Sequence, residues 1–225
     1  MSDTALVPAP LYGLRTWRVV GESGAELLAA PHQHTDWPPG GAWLEATCGR
    51  SRDHEPPNEG CGCGIHAWHP SRRSAKRVLA SRREIPGIAE LRGATEVHVD
   101  GLRAERARPY VLFLARGRNG RLVHRLAQAY RAEVVEVDSA DSVIAFCRAR
   151  GLGMDAATVV AVLGPATAEE YRRSKRDKLR LDALRLAAAV AAVALLAVAG
   201  LRFATDPPGD RVLHGRMGEI HTHSR

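Results

Sequence analysis

The stretch "ATEVHVDGLRAERARPYVLFLA", residues 94–115, decides how the chain folds. ATEVHV reads as the first strand of a hairpin. Asp100-Gly101 follows, a dipeptide suited to the type I′ turn of a hairpin. LRAERA then reads as the returning strand, and YVLFLA (110–115) as a separate apolar strand. Upstream, LRTWRVV (14–20) and AELLAA (25–30) flank GESG as another hairpin. PHQHTDWPPGG (31–41) is loop, AWLEATC (42–48) alternates as a strand, 49–60 is a polar loop, and GIHAW (64–68) is a short strand. Ser71 caps a helix that runs to about Arg83 and stops before Pro86.

Beyond residue 115 the pattern changes. Helices fit 122–131, 140–150 and 155–163, with one strand at 133–137. Strands dominate early and helices late, so the fold class is α+β, with a β-rich N-terminal half and a helical second half. With 225 residues and 45% hydrophobic residues, a packed core is affordable and wholesale disorder is excluded. The net charge of +7 suits an acidic partner, either nucleic acid or an anionic membrane face. Nearly all of the basic residues are arginine in an Ala- and Gly-rich chain, as GC-rich codon usage would give, which weakens the arginine count as a functional signal.

The C-terminal part reads differently. Thr167 and Glu170 have capping-box spacing, and no glycine or proline interrupts the chain from there to Gly200. One helix of more than thirty residues follows. Residues 186–201 carry no charge; as helix they rise ~24 Å, against a hydrocarbon core of ~30 Å. Arg185 and Arg202 bracket the run and can snorkel outward, so a single transmembrane helix is expected over 186–204. The competing reading is a buried soluble helix, which a run apolar on every side does not favour. Arg172, Arg173, Lys175, Arg176, Lys178 and Arg180 precede the run as a membrane-surface cluster facing anionic lipid head groups. The positive-inside rule then places the N-terminal domain in the cytoplasm of a single-pass protein. The expected organisation is a flexible tail (1–11), a cytoplasmic α+β domain (12–165), a basic juxtamembrane helix (166–185), the membrane helix (186–204) and a disordered outer tail (205–225). MSDTALVPAPLYG shows no secretory leader pattern.

Chemistry concentrates in "EGCGCGIHAWHP", residues 59–70. With the upstream residues, Cys48, His54, Cys61 and Cys63 form C-x5-H-x6-C-x-C. Three thiolates and an imidazole meet the four-ligand demand of a structural zinc site. Gly60, Gly62 and Gly64 let the backbone turn tightly and offer amides to the sulfurs. His66 or His69 can replace His54, although His69 beside Pro70 is expected to be exposed. Three other readings stay open. Cys61 and Cys63 form a thiol–disulfide couple, which leaves Cys48 unexplained; one of them is a nucleophile with His66 or His69 as base; or the cysteines are inert. Cys147, in an amphipathic helix among Val143, Ile144 and Phe146, belongs to the core.

LYGLRTWRVV, WPPGGAWLEATC, HEPP, GCGCGIHAW and GLRAERARP together resemble a widespread group of small actinobacterial proteins. Those carry an upstream Cys, an intervening His and a C-x-C-G-I-[YH]-A run. The resemblance covers residues 12–109 and implies that Cys48, His54, Cys61 and Cys63 act as one set; it implies no reaction. Other motifs are lacking: there is no P-loop, G-x-S-x-G or H-E-x-x-H, and GLGMDA (151–156) follows a helix rather than a strand, so it reads as a helix end. The expectation is a membrane-anchored binding or regulatory module, with a structural zinc and a protein partner. The alternatives are an enzyme using zinc or a thiolate, and a nucleic-acid binder whose patch would be Arg72, Arg73, Lys76, Arg77, Arg82 and Arg83.

Overall fold

The computed structural model describes residues 10–32 and 35–205. The elements in order are β1 (Leu11–Val20), β2 (Leu27–Ala29), β3 (Leu44–Glu45), β4 (Ile65–Trp68), α1 (Arg72–Ala80), β5 (Glu84–Val97), β6 (Gly101–Ala115), α2 (Gly120–Tyr130), β7 (Glu133–Val137), α3 (Ala140–Ala149), α4 (Ala156–Leu163) and α5 (Pro165–Thr205). The class is α+β, with strands concentrated in the first half and helices in the second. The chain divides into two compact units, Met1–Tyr171 and Arg172–Arg225.

Within the first unit, β5 and β6 form the central hairpin. β1 pairs antiparallel with β5 over eight residue pairs, and β4 pairs with both β6 and β1. The pairings β1–β5–β6–β4–β1 therefore make a closed circuit, to which β2, β3 and the parallel β7 attach. Alternation along β1 splits its side chains between two cores, as a period of two requires. Leu14 faces Ile88, Val111 and Phe113 beneath α1 and α3. Leu11 and Trp17 face Leu91, Leu112 and the α2 residues Leu126 and Tyr130. The Tyr130 hydroxyl donates to the Trp37 carbonyl at 2.8 Å and accepts from the Leu28 amide at 2.9 Å, fastening α2 to β2 and the loop beyond it.

The hairpin differs from the sequence expectation in three ways. First, LRAERA and YVLFLA are parts of one fifteen-residue strand. Pro109 is tolerated because the register shifts beside it: Ala89 faces Pro109 while Ile88 faces Val111, so Tyr110 is an extra residue in a bulge. Second, the turn centres on Val99 and Asp100, with His98 and Gly101 exchanging backbone hydrogen bonds of 2.8 and 3.3 Å. Gly101 serves the approach of β4 instead, since a Cβ there would collide with the Ala67 carbonyl. Third, residues 84–93, which carried no expected element, are strand.

Of the expected strand 42–48 only Leu44–Glu45 is regular. The first-unit helices begin at side-chain caps, Ser71, Asn119, Ser139 and Asp155, each accepting from the amide three residues on. α5 starts at Pro165, ahead of the expected Thr167 cap. Its Tyr171 hydroxyl donates to Asp100 at 3.0 Å, so the first turns of α5 are tied to the β5–β6 turn. The expected tail 1–11 lies outside the described residues except for residues 10 and 11, and Leu11 already opens β1. The expected outer tail 205–225 lies outside them except for Thr205.

In the second unit, α5 is helical through the expected span 186–204. Leu181, Leu184, Leu186, Val190 and Val193 are exposed. At 100° per residue they occupy opposite sides of the helix. Side chains from 194 onward lie outside the described residues. Among the described residues, no helix is long and apolar enough to cross a membrane.

Candidate metal centre

β3 and β4 lie end to end along the same edge of β6. Leu44 and Glu45 face Ala107 and Arg106, while Ile65 to Trp68 face Ala104 to Gly101. Residues 46–64 are thus an excursion between two pieces of one strand position. This excursion carries Cys48, His54, Cys61 and Cys63.

The structure brings these four together. One donor atom from each lies within 4.8 Å of all the others, close enough for the set to bind one metal ion. Cys48 Sγ and Cys61 Sγ are 3.6 Å apart, and Cys63 Sγ lies 3.3 Å from His54 Nε2. A tetrahedral zinc centre, with Zn–S of about 2.3 Å and Zn–N of about 2.0 Å, has S···S edges of ~3.8 Å and S···N edges of ~3.5 Å. The observed separations match those edges. They are far from the ~2.05 Å of a disulfide, and all four cysteines are free thiols.

Local backbone explains the assembly. Asn58 Oδ1 accepts from the Gly60 amide at 3.1 Å and the Asn58 carbonyl accepts from the Cys61 amide at 2.9 Å, an Asx turn that delivers Cys61. The Pro56–Pro57 peptide before it is cis. Of the three glycines around the cysteines, only Gly64 has a positive φ, +115°, and a Cβ there would run into the Arg103 side chain. Gly60 and Gly62 hold no such conformation. Amides of Ser51 and Arg50, not those of the glycines, face the Cys48 sulfur. They bring its thiol down to about 6, helped by Cys61 and His54. Burial pushes the Cys63 thiol up, and its contact with Cys61 adds to the rise. Two thiols of one cluster are thus shifted in opposite directions from the ordinary thiol value.

Beneath the excursion lies Arg103 of β6, 6% exposed. It donates to the Cys61 carbonyl and, at 3.2 Å, to the Asn58 carbonyl; on its other side it pairs with the buried Glu96, Nε to Oε2 2.9 Å. His98 Nε2 approaches the same carboxylate at 3.3 Å. Nothing in the sequence marks Arg103 or Glu96 as partners of the cysteine loop, because the link runs across strands. Asn58-Glu59-Gly60 was the one readable signal, a turn sequence.

The remaining sequence candidates fall elsewhere. His66 is exposed and its Nε2 lies 3.2 Å from the Gly62 carbonyl, outside the cluster. His69, expected to be exposed, is buried: β4 carries it under the β5–β6 turn, where Nε2 meets the His98 carbonyl at 2.8 Å. Cys147 is core, and burial raises its thiol to about 11. In the α1 patch, Arg72 pairs with Asp141 at 3.1 Å and Arg77 stacks over Trp68, 5.6 Å from the ring centre. Of the membrane-surface cluster, Arg173, Arg176 and Arg180 are exposed on α5, and the side chains of Arg172, Lys175 and Lys178 lie outside the described residues. A cleft of about 550 Å³ adjoins the centre; Cys48, Cys61 and Cys63 form part of one wall, and Arg15, His66 and Trp68 line it too.

No family model, curated protein or solved structure matches this chain.

Proposed function

We propose that the protein is a binding or regulatory module built around one structural zinc ion, held by Cys48, His54, Cys61 and Cys63, and tethered to a membrane through α5. The observation that carries the metal reading is the position of His54. Its Nε2 faces the sulfurs, so three cysteines and one histidine fill four positions and leave none open for water or substrate. An enzyme using zinc-bound water needs such an open position, which is why the structural role is preferred. Zinc suits a thiolate-rich tetrahedral set better than magnesium or calcium, which prefer oxygen donors.

The physical role is to replace core. The excursion 46–64 contains almost no regular structure, and most of its residues are exposed or half-buried. Metal ligation supplies folding free energy where apolar burial does not. The tether rests on the uncharged run 186–201 and the basic residues ahead of it. Both parts have direct tests. Elemental analysis of the reduced full chain is expected to give one zinc per chain; no metal, with four free thiols, overturns the metal reading. Membrane fractionation with a carbonate wash is expected to leave the chain in the pellet, and release into the wash overturns the tether.

A further inference from the structure

We propose that the cleft beside the metal centre is a binding site for a small oxyanion, a carboxylate or phosphate carried on an apolar body, with Arg15 as its anchor. This goes beyond the structural zinc and does not depend on it chemically.

Half-buried Arg15 differs from three other arginines of the sheet in its partners. Arg103 pairs with Glu96, while Arg92 and Arg108 both pair with Glu90. Arg15 projects from β1 on the face that carries Leu11 and Trp17 and lines the cleft. Its guanidinium lies 5.0 Å over the Trp37 ring and donates to one neutral acceptor, the His66 carbonyl. Its Nε is sealed from solvent and has no hydrogen-bond partner. No carboxylate among the described residues forms an ion pair with it. Burial brings it down to about 10. A guanidinium partly withdrawn from water without a counter-ion is unfavourable, and an anion entering from outside relieves that cost.

The rest of the cleft fits such a guest. Its volume of about 550 Å³ lies in the range of small-molecule sites. Ile65, Leu44, Ala46 and Trp68 offer apolar wall, and Arg50 adds a second positive charge, while Glu45 and the Cys48 sulfur are negative groups on the same lining. Arginine's planar fork matches both carboxylate and phosphate. The cysteines have partners elsewhere: amides of Ser51 and Arg50 face Cys48, and Cys63 Sγ lies 3.3 Å from His54 Nε2.

The test uses the full, metal-loaded chain in neutral detergent, titrated with benzoate, with phenyl phosphate, and with uncharged benzamide. Calorimetry and tryptophan fluorescence read binding, and Trp37 and Trp68 serve as reporters. Saturable binding of at least one anion, with none of benzamide, is expected; which anion binds tells carboxylate from phosphate. Arg15→Gln is expected to weaken it about ten- to a hundredfold, and Arg15→Lys less, because lysine keeps the charge and loses the fork. Metal content and thermal unfolding of each variant are measured alongside. If Arg15→Gln unfolds, Arg15→Lys and benzamide selectivity carry the comparison. Absence of saturable anion binding overturns the proposal, as does equal binding by Arg15→Gln. Binding that survives in Arg15→Gln and vanishes on zinc removal overturns it in favour of direct ligation to the metal. Metal content, read separately, tells a failed zinc assignment from a failed anion site.

Discussion

Arg103 lets the support of the metal loop be separated from the stability of the sheet. It holds Glu96 on one side and the carbonyls of Asn58 and Cys61 on the other, and the side chains of the pair are 7% and 10% exposed. Arg103→Met strands the Glu96 carboxylate in a buried site, a change that costs about 3–5 kcal/mol of unfolding free energy. Arg103→Met with Glu96→Leu strands no charge, and apolar replacement of a buried pair is often neutral, so most of that loss is expected to return. The loop does not recover. Its two carbonyls lose charge-assisted hydrogen bonds, each contributing about 1.5–3 kcal/mol when fully enclosed. Both residues are half-buried, so the value of one such bond is the better guide for the pair. The expected weakening of zinc binding in the double variant is therefore about 10- to 150-fold. Urea unfolding reads the first quantity, and zinc competition against a chromogenic chelator at neutral pH reads the second. A double variant with recovered stability and parental zinc affinity would refute the reasoning, because the loop would then hold its shape without Arg103.

Other outcomes follow from the same geometry. Tyr130→Phe removes the hydroxyl shared by Leu28 and Trp37, and is expected to cost about 2–3 kcal/mol in urea unfolding, since two enclosed backbone groups lose a partner. Zinc affinity should rise with pH through neutrality. Cys63, raised above the ordinary thiol value, must give up its proton on binding, whereas Cys48 at about 6 has already lost its own. At pH 7 calorimetry in two buffers should show at least one proton released per zinc, and below about 6 the dependence should steepen as Cys48 also protonates; a flat profile would contradict both shifts. Thiol titration of the metal-free folded chain should find Cys48, Cys61 and Cys63 reactive, and Cys147 only after denaturation, because the latter is enclosed and held at about 11.

Much of this architecture was legible because local physics dominates where it was read. The bounds of β7 and α3 follow from a Val-rich run and from Ser139, whose side chain closes the first turn of α3. The clustering of Cys48, His54, Cys61 and Cys63 was legible because metal chemistry constrains residue type more than position. What escaped is non-local. Pro109 reads as a break, and only the bulge across from Ile88 and Ala89 shows why the strand passes through it. Gly101 reads as a turn residue, yet its lack of a side chain serves β4, more than thirty residues away. His69 reads as exposed beside Pro70 until the β5–β6 turn covers it. Arg15 and Arg103 carry no mark in the sequence, since nothing near them announces Trp37 or Glu96 as neighbours.

The end-to-end placement of β3 and β4 on β6 has a consequence for how such a chain can change. Glu45 and Ile65 face Arg106 and Ala104, so the two ends of the excursion are only two strand positions apart, ~7 Å. Topologically, the nineteen residues between them are a pendant on a strand that would be continuous without them. Their length, ligands and cleft wall can drift, or be exchanged for another loop, while the β5–β6 hairpin and both cores keep their pairings. The sheet is inherited as a frame, and the chemistry is hung upon it.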